Sequence, residues 1–345
     1  MVQWLMKEQV KMGHQVYLMA LPGSKIEGVE VVEVPENSGS EFIDRLVPSE
    51  VDIIHAHTYT EKHDTKKPML ITYDRMGLIK KFHPNTVFCS KRHAEIHHGK
   101  YFIHYGVAAE EYEFSEQKDD YFMFLAMAGW PVKNLEGAIR AVKDAGANLV
   151  IAGGYRPSLS GKIKSEGMLG DKRKKQLLSR ARALLFPVIW DEPFGIVMIE
   201  AFASGTPVIG TPFGSLPEVI NKDNGFVCKS HEQLVAAIKN IDTISNRACR
   251  EQALGYFGIR RMAEDYQKIY EKILERGQLD QQPFLEGDIQ PGLQLKLYDG
   301  YRPPGVLWRL LGNKLTTLYT NYRESRRVYE DDEVSSKTKD LTNFG

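Results

Sequence analysis

A chain of 345 residues is longer than one ordinary domain and leaves room for two cores and a tail. Its apolar and charged fractions, 42% and 26%, are those of an average folded protein, and a net charge of zero gives no reason to expect a nucleic-acid partner. The scattered Cys89, Cys228 and Cys249 suit free thiols in a reducing cytoplasm; no apolar run approaches the roughly eighteen residues that span a bilayer, and the charged, amphipathic opening MVQWLMKEQVKMGH is not a signal peptide.

In chain order, Val2, Leu5, Met6 and Val10 share one helical face over residues 2–12, with Gly13 as the stop. Gln15–Leu21 and Val29–Val34 read as strands and Ser40–Leu46 as a helix. Val51–His55, Met69–Tyr73 and Thr86–Cys89 follow as apolar strands, the last leading into a helix from Ser90. His93 and His97 stand four apart, a metal-ligand spacing. No acid or cysteine accompanies them at a defined spacing, so a solvated helix is expected there and no metal site. The charged run Glu110–Asp120 reads as a linker. Tyr121–Ala126 then begins a second set of elements: a loop with Gly129, Trp130 and Lys133, a helix Leu135–Ala145, and a strand Asn148–Ala152 ending in Gly153-Gly154. The basic segment Asp171–Arg182 reads as a solvated helix.

The stretch Ala183–Ile220 organises the rest. Ala183–Phe186 suits a buried parallel strand. Pro187 ends it, Trp190-Asp191-Glu192 forms a loop, and Pro193 suits the first turn of a helix that stops at Gly205. A second buried strand, Pro207–Gly210, follows. Ligands bind at the carboxyl edge of such strands, and the unpaired N–H groups of Phe194, Gly195 and Ile196 would form an anion site. Glu192 and Glu200 flank it and could reach opposite ends of one elongated ligand at about 1.5 Å per helical residue. Gly214-Ser215-Leu216-Pro217-Glu218 makes a second glycine turn into a helix. Gln233–Ile241 and Ile259–Leu274 are amphipathic helices. Residues 277–305, rich in Gly, Pro and Gln, read as a loose connector. Val306–Arg327 could form a helix with an apolar stripe and basic flanks, packed on the body or touching an anionic membrane. Glu330–Gly345 reads as disordered.

Two glutamates at this spacing also suit a solvated helix face. The whole block EPFGIVMIEAFASGTPVIGT is more specific and closely resembles the signature of glycosyltransferase family 4, the retaining, nucleotide-sugar-dependent enzymes of GT-B fold. Tyr105-Gly106-Val107 resembles a further segment of that family, and the likeness covers nearly all of residues 1–275. It implies an α/β protein of two Rossmann-like domains facing a cleft. Residues 1–112 would form the acceptor-side domain, 113–120 a linker, 121–275 the nucleotide-sugar domain and 276–345 an extension, partly helical and partly disordered. The family's first strand and glycine-rich loop have no counterpart before Met1. The N-terminal domain is therefore expected to be incomplete, or the natural chain to start upstream. The last amphipathic helix is expected to cross back to the first domain.

By resemblance, Glu192 is the catalytic residue, contacting hydroxyls of the donor sugar beside the N–H groups of Phe194, Gly195, Ile196 and Val197. Glu200 would hold the ribose hydroxyls, Lys133 would face the diphosphate and Gly154 would line the donor site. The base would lie near Gly167-Met168-Leu169. No well-placed Asp-x-Asp pair offers a metal site, so the leaving diphosphate must be met by helix N-termini and cations. Two positions depart from the family. Met127 stands where it has an arginine, with Arg156 a candidate substitute, and Asp74 stands where it has a histidine. Asp74 and His57 are the acceptor-side candidates. The implied function is metal-independent, retaining transfer of a hexose from a UDP- or GDP-sugar to a glycan or lipid-linked acceptor. It would take place in the cytoplasm, with peripheral membrane contact through the C-terminal helix as an option. The alternatives are a degenerate chain that binds nucleotide sugar without turning it over, and a nucleotide-sugar epimerase, which the glutamate block disfavours.

Overall fold

The computed structural model describes residues 1–35, 43–57, 65–76 and 81–284. The helix expected at Val306–Arg327, the disordered tail and most of the connector lie outside the described residues, as does the start of the helix expected at Ser40–Leu46.

The first domain contains α1 (Val2–Lys11), β1 (Tyr17–Ala20), β2 (Glu30–Glu33), α2 (Ile43–Leu46), β3 (Ile54–Ala56), β4 (Met69–Tyr73), β5 (Thr86–Phe88) and α3 (Lys91–Ile96). Its strands form two parallel sheets, β1-β2 and β3-β4-β5. Met69–Tyr73 is buried at every position, as an apolar run in a parallel sheet should be. Strand β3 begins three residues later than the apolar run suggested, because its register is set by β4: Ile54 pairs with Met69 and Ala56 with Ile71. Ser90 caps α3 by accepting from the His93 N–H.

The second domain contains β6 (Phe122–Leu125), α4 (Leu135–Ala145), β7 (Leu149–Ala152), β8 (Ile163–Gly167), α5 (Asp171–Arg180), β9 (Leu184–Phe186), α6 (Ile196–Ala203), β10 (Val208–Gly210), α7 (Leu216–Val219), β11 (Gly225–Val227), α8 (His231–Lys239), α9 (Asn246–Leu254) and α10 (Ile259–Arg276). Its sheet has the order β11-β10-β9-β6-β7-β8 with all neighbours parallel. From β6 the chain runs outward through β7 and β8, then returns to build β9, β10 and β11 on the other side. The order therefore reverses between β6 and β9, and the crevice outside their carboxyl ends is where an open α/β sheet binds ligand.

Strand β8 and helix α9 are absent from the sequence reading. In β8, Ile163 is buried while Lys164 and Glu166 are exposed, so an edge strand with one apolar residue carries almost no pattern. In α9 few residues are buried, Cys249 and Ala253 among them.

The domains are sewn together by the last helix, as expected. On α10, the Tyr266 hydroxyl bonds Thr72 at 2.9 Å and the Tyr270 hydroxyl bonds His55 Nδ1 at 2.7 Å, while Gln9 of α1 donates to Tyr270 at 2.9 Å. The chain beyond Arg276 corrects the loose connector as far as it is described. The Gln281 amide donates to the Thr86 and Pro84 carbonyls and its oxygen accepts from the Lys100 N–H. Leu279 N–H donates to Asn85, and Phe82 N–H to Pro283. This segment seals the outer end of β5, supplying partners to buried backbone groups that would otherwise lack them.

The expected solvated helix with His93 and His97 is also overturned. Both histidines are buried, at 1% and 0% exposure, in a ring cluster with Tyr73, Phe82 and Phe88. His93 Nε2 donates to the Arg75 carbonyl and Nδ1 pairs with the Cys89 thiol at 3.1 Å. Burial pushes the Cys89 thiol well up and the His93 imidazole down to about 3, so neither is a nucleophile or base at neutral pH.

Candidate active site

Two loops meet at the switch point. The loop after β6 carries Met127, Trp130 and Lys133; the loop after β9 carries Trp190, Asp191, Glu192 and Gly195. They are strapped together where Ile189 N–H donates to Val132 at 2.9 Å and the Asn134 amide donates to Pro187 at 3.0 Å. Lys133 Nζ and Glu192 Oε2 thereby lie 2.5 Å apart, though 59 residues separate them. Both are almost buried, at 9% and 8% exposure. The Trp190 indole N–H donates to the same carboxylate oxygen at 2.6 Å, and the ammonium lies 4.9 Å from the Trp190 ring centre and 5.4 Å from that of Phe186. Glu192 Oε1 accepts nothing from the described residues. A charged pair this dry survives because each partner is hydrogen-bonded to the other.

The helix start is displaced from its expected place. Gly195 is the N-cap, with φ +76°, and α6 begins at Ile196. Pro193 and Phe194 therefore precede the helix. The first unpaired N–H groups of α6 are those of Ile196 and Val197. Phe194 turns its ring into the seam between the domains, 5.2 Å from Tyr105 and 5.7 Å from His104, and its carbonyl accepts from the Ser215 hydroxyl at 2.7 Å. It is a packing residue that fixes the loop. Gly154 sits at the end of β7, bridged to Gly167; Met168 follows as a partly exposed side chain.

Glu200, one turn into α6 and 7% exposed, meets two side chains that the sequence reading passed over. Lys174 of α5 donates to its Oε1 at 2.7 Å, and the Tyr112 hydroxyl donates to the same oxygen at 2.6 Å. Burial pulls the Lys174 ammonium down, but Glu200 and Asp171 outweigh it and the net shift is upward. Burial and the Glu200 charge push the Tyr112 phenol up, so it stays a donor. The helix carrying Lys174 is not simply solvated: Leu177, Leu178 and Ser179 are buried. Arg156, the candidate replacement for the missing arginine, is held by Glu136 through two contacts, 2.8 and 3.4 Å. Met127 is partly exposed.

The facing wall comes from the first domain. His57 follows β3, lies against His55 with ring centres 4.1 Å apart and planes tilted by 32°, and is pushed down to about 4 by burial; it is neutral at physiological pH. Asp74 follows β4 with its carboxyl raised, burial outweighing Arg75, and Tyr105 beside it. Across the seam, Glu218 of α7 accepts from the Lys91 and Arg92 N–H groups at the start of α3, 2.8 and 2.7 Å, and pairs with His104 at 2.8 Å. Arg92 also reaches Asp191 at 3.4 Å. No helix among the described residues is long and apolar enough to cross a membrane.

Residues 109–254 match the model of the family described as glycosyl transferases group 1. Over 164 residues the chain is 33% identical to the O-antigen chain mannosyltransferase RfbU of Salmonella typhimurium, covering 43% of this chain and 46% of that one. Over 92 residues it is 33% identical to the N-acetyl-alpha-D-glucosaminyl L-malate synthase of Bacillus anthracis, 24% of each chain. The chain thus spans less than half the length of these relatives. Among solved structures, it superposes on AviGT4, a glycosyltransferase of avilamycin A biosynthesis, with TM-score 0.66 and 23% identity over 79% of this chain and 88% of that one. It superposes on Anabaena HepE, solved with UDP and glucose, with TM-score 0.56 and 16% identity over 78% and 94%. The chain therefore has the GT-B fold, and the part of it that carries Lys133, Glu192 and Glu200 matches the glycosyl transferases group 1 family.

Proposed function

We propose that this chain transfers a hexose from a nucleotide sugar, UDP- or GDP-linked, to a glycan or lipid-linked acceptor in the cytoplasm, with retention and without a metal. The observation that carries this reading is the buried Lys133–Glu192 pair at the switch point, next to the start of α6, with Glu192 Oε1 accepting nothing from the described residues. An ammonium beside a helix start suits a diphosphate that gains charge as the anomeric bond breaks. A carboxylate with one oxygen already fixed and the other open suits a sugar hydroxyl. The name of the RfbU relative supports a hexose and a surface polysaccharide, and the ligands of the HepE structure support a uridine diphosphate.

In this mechanism the bond between the anomeric carbon and the donor phosphate breaks while the acceptor oxygen bonds the carbon on the same face. The departing phosphate oxygen takes the acceptor proton, so neither neutral His57 nor Asp74 need act as base. Both would border the acceptor.

A panel of UDP-, GDP- and ADP-sugars assayed for nucleotide release tests this. Glu192→Gln is expected to lower turnover by about 10²-fold or more, assayed at a temperature where the variant is folded, because the Lys133 ammonium left buried without its counter-charge also lowers the urea midpoint. Turnover equal to wild type would remove Glu192 from the site. Saturable wild-type binding without turnover of any donor would favour a binder that lacks catalysis, consistent with Met127 in place of a cation.

A further inference from the structure

The two glutamates of the site are held in the same way. On Glu192, one oxygen takes a lysine ammonium and an aromatic residue's polar hydrogen, from Lys133 and Trp190. On Glu200, one oxygen takes the Lys174 ammonium and the Tyr112 hydroxyl. In each case the second oxygen accepts nothing from the described residues. From these contacts we infer that Lys174 and Tyr112 form a clamp that fixes the Glu200 carboxylate and turns its open oxygen toward the ribose diol of the donor, making the clamp the device that selects ribonucleotides. This rests on the donor reading above.

The physical argument has three parts. A carboxylate 7% exposed is costly to bury without a counter-charge, and Lys174 at 2.7 Å supplies one. Two donors on a single oxygen fix the carboxylate plane, so the other oxygen points one way and costs little ordering when a hydroxyl arrives. The clamp is itself held. Lys174 is paired with Asp171 at 3.2 Å. The Tyr112 ring is packed edge-on by Trp4 of the first domain at 6.1 Å and lies 4.9 Å under the Lys175 ammonium. Tyr112 and Lys174 are positioning residues: they act on the ligand through Glu200.

The test is calorimetric binding of UDP and GDP against their 2′,3′-dideoxy counterparts, to wild type, Lys174→Met, Lys174→Arg and Tyr112→Phe. Wild type is expected to prefer the ribonucleotide by about tenfold or more, the worth of a hydrogen bond to a charged group. Lys174→Met and Tyr112→Phe should weaken ribonucleotide binding and bring that preference toward one, while dideoxynucleotide binding stays as it was. Lys174→Arg, which keeps the charge, should restore most of the preference. A Lys174→Met protein that is folded by circular dichroism and retains the full ribose preference would overturn the clamp. If wild type binds neither nucleotide, the donor reading itself fails.

Discussion

Gly214→Ala is expected to disable the site more thoroughly than most changes to a ligand-contacting side chain. Gly214 lies in the loop after β10 with φ +61°, and a Cβ there would fall 2.2 Å from the Glu192 nitrogen and 2.3 Å from its carbonyl oxygen. These are backbone atoms and cannot swing aside. The same loop holds Glu192 in place from both ends: Ser215 N–H donates to the Glu192 carbonyl at 3.0 Å and Gly214 N–H to the Asp191 side chain at 3.1 Å. Left-handed backbone at a residue with a Cβ costs about 1–2 kcal/mol, and the clash adds about 1–3 kcal/mol. The unfolding midpoint should fall by roughly 5–15 °C, on the scale of a few degrees per kcal/mol for a domain of this size. Glu192 must shift by about 1 Å, enough to cost about 10²-fold in turnover. Nucleotide-release assays at a temperature where the variant remains folded separate the two effects. A variant with wild-type turnover would show that the loop after β10 does not set the position of Glu192.

The second large effect is acid sensitivity. His93 is buried and His55 and His57 are partly so; desolvation holds His57 at about 4, His93 at about 3, and His55 well below its ordinary value of 6.5. In the folded protein these rings stay neutral while the unfolded chain's histidines take protons below about pH 6.5. The unfolded state then binds more protons, so stability falls as pH drops from about 6.5 toward 4 and levels off once the folded rings also titrate. His57 and His93 each contribute a loss of about 2 kcal/mol at pH 5, and His55 adds to it in the same direction, together a large part of a domain's stability. The raised carboxyl of Asp74 acts in the opposite direction, taking up its proton in the folded state before the unfolded chain does as the pH falls. The lowered Glu218 adds to the loss only nearer pH 4. The urea midpoint should therefore drop steeply between pH 7 and pH 5. A flat midpoint over that interval would mean that these histidines are solvated or already charged in the fold.

The sequence by itself determined the two-domain α/β architecture, because the parallel strands are short apolar runs buried on both faces, as at Met69–Tyr73 and Leu184–Phe186. The resemblance of the block EPFGIVMIEAFASGTPVIGT to glycosyltransferase family 4 implied that Lys133, Glu192 and Glu200 share one region, and the structure brings Lys133 onto Glu192. Tertiary structure alone decided which polar groups meet. Lys174 and Glu200 are 26 residues apart, Tyr112 and Glu200 are 88 apart, and nothing local marks one lysine of a basic run as the one that faces inward. The same holds for Arg156, which became the partner of Glu136, and for His93 and His97, whose helix packs its histidines against Tyr73 and Phe88. Period and propensity are written between neighbours in the chain. Charge pairing and burial are settled between elements that only folding brings together, and the exposed-looking helix, the polar edge strand β8 and the docked segment after Arg276 were all decided at that level.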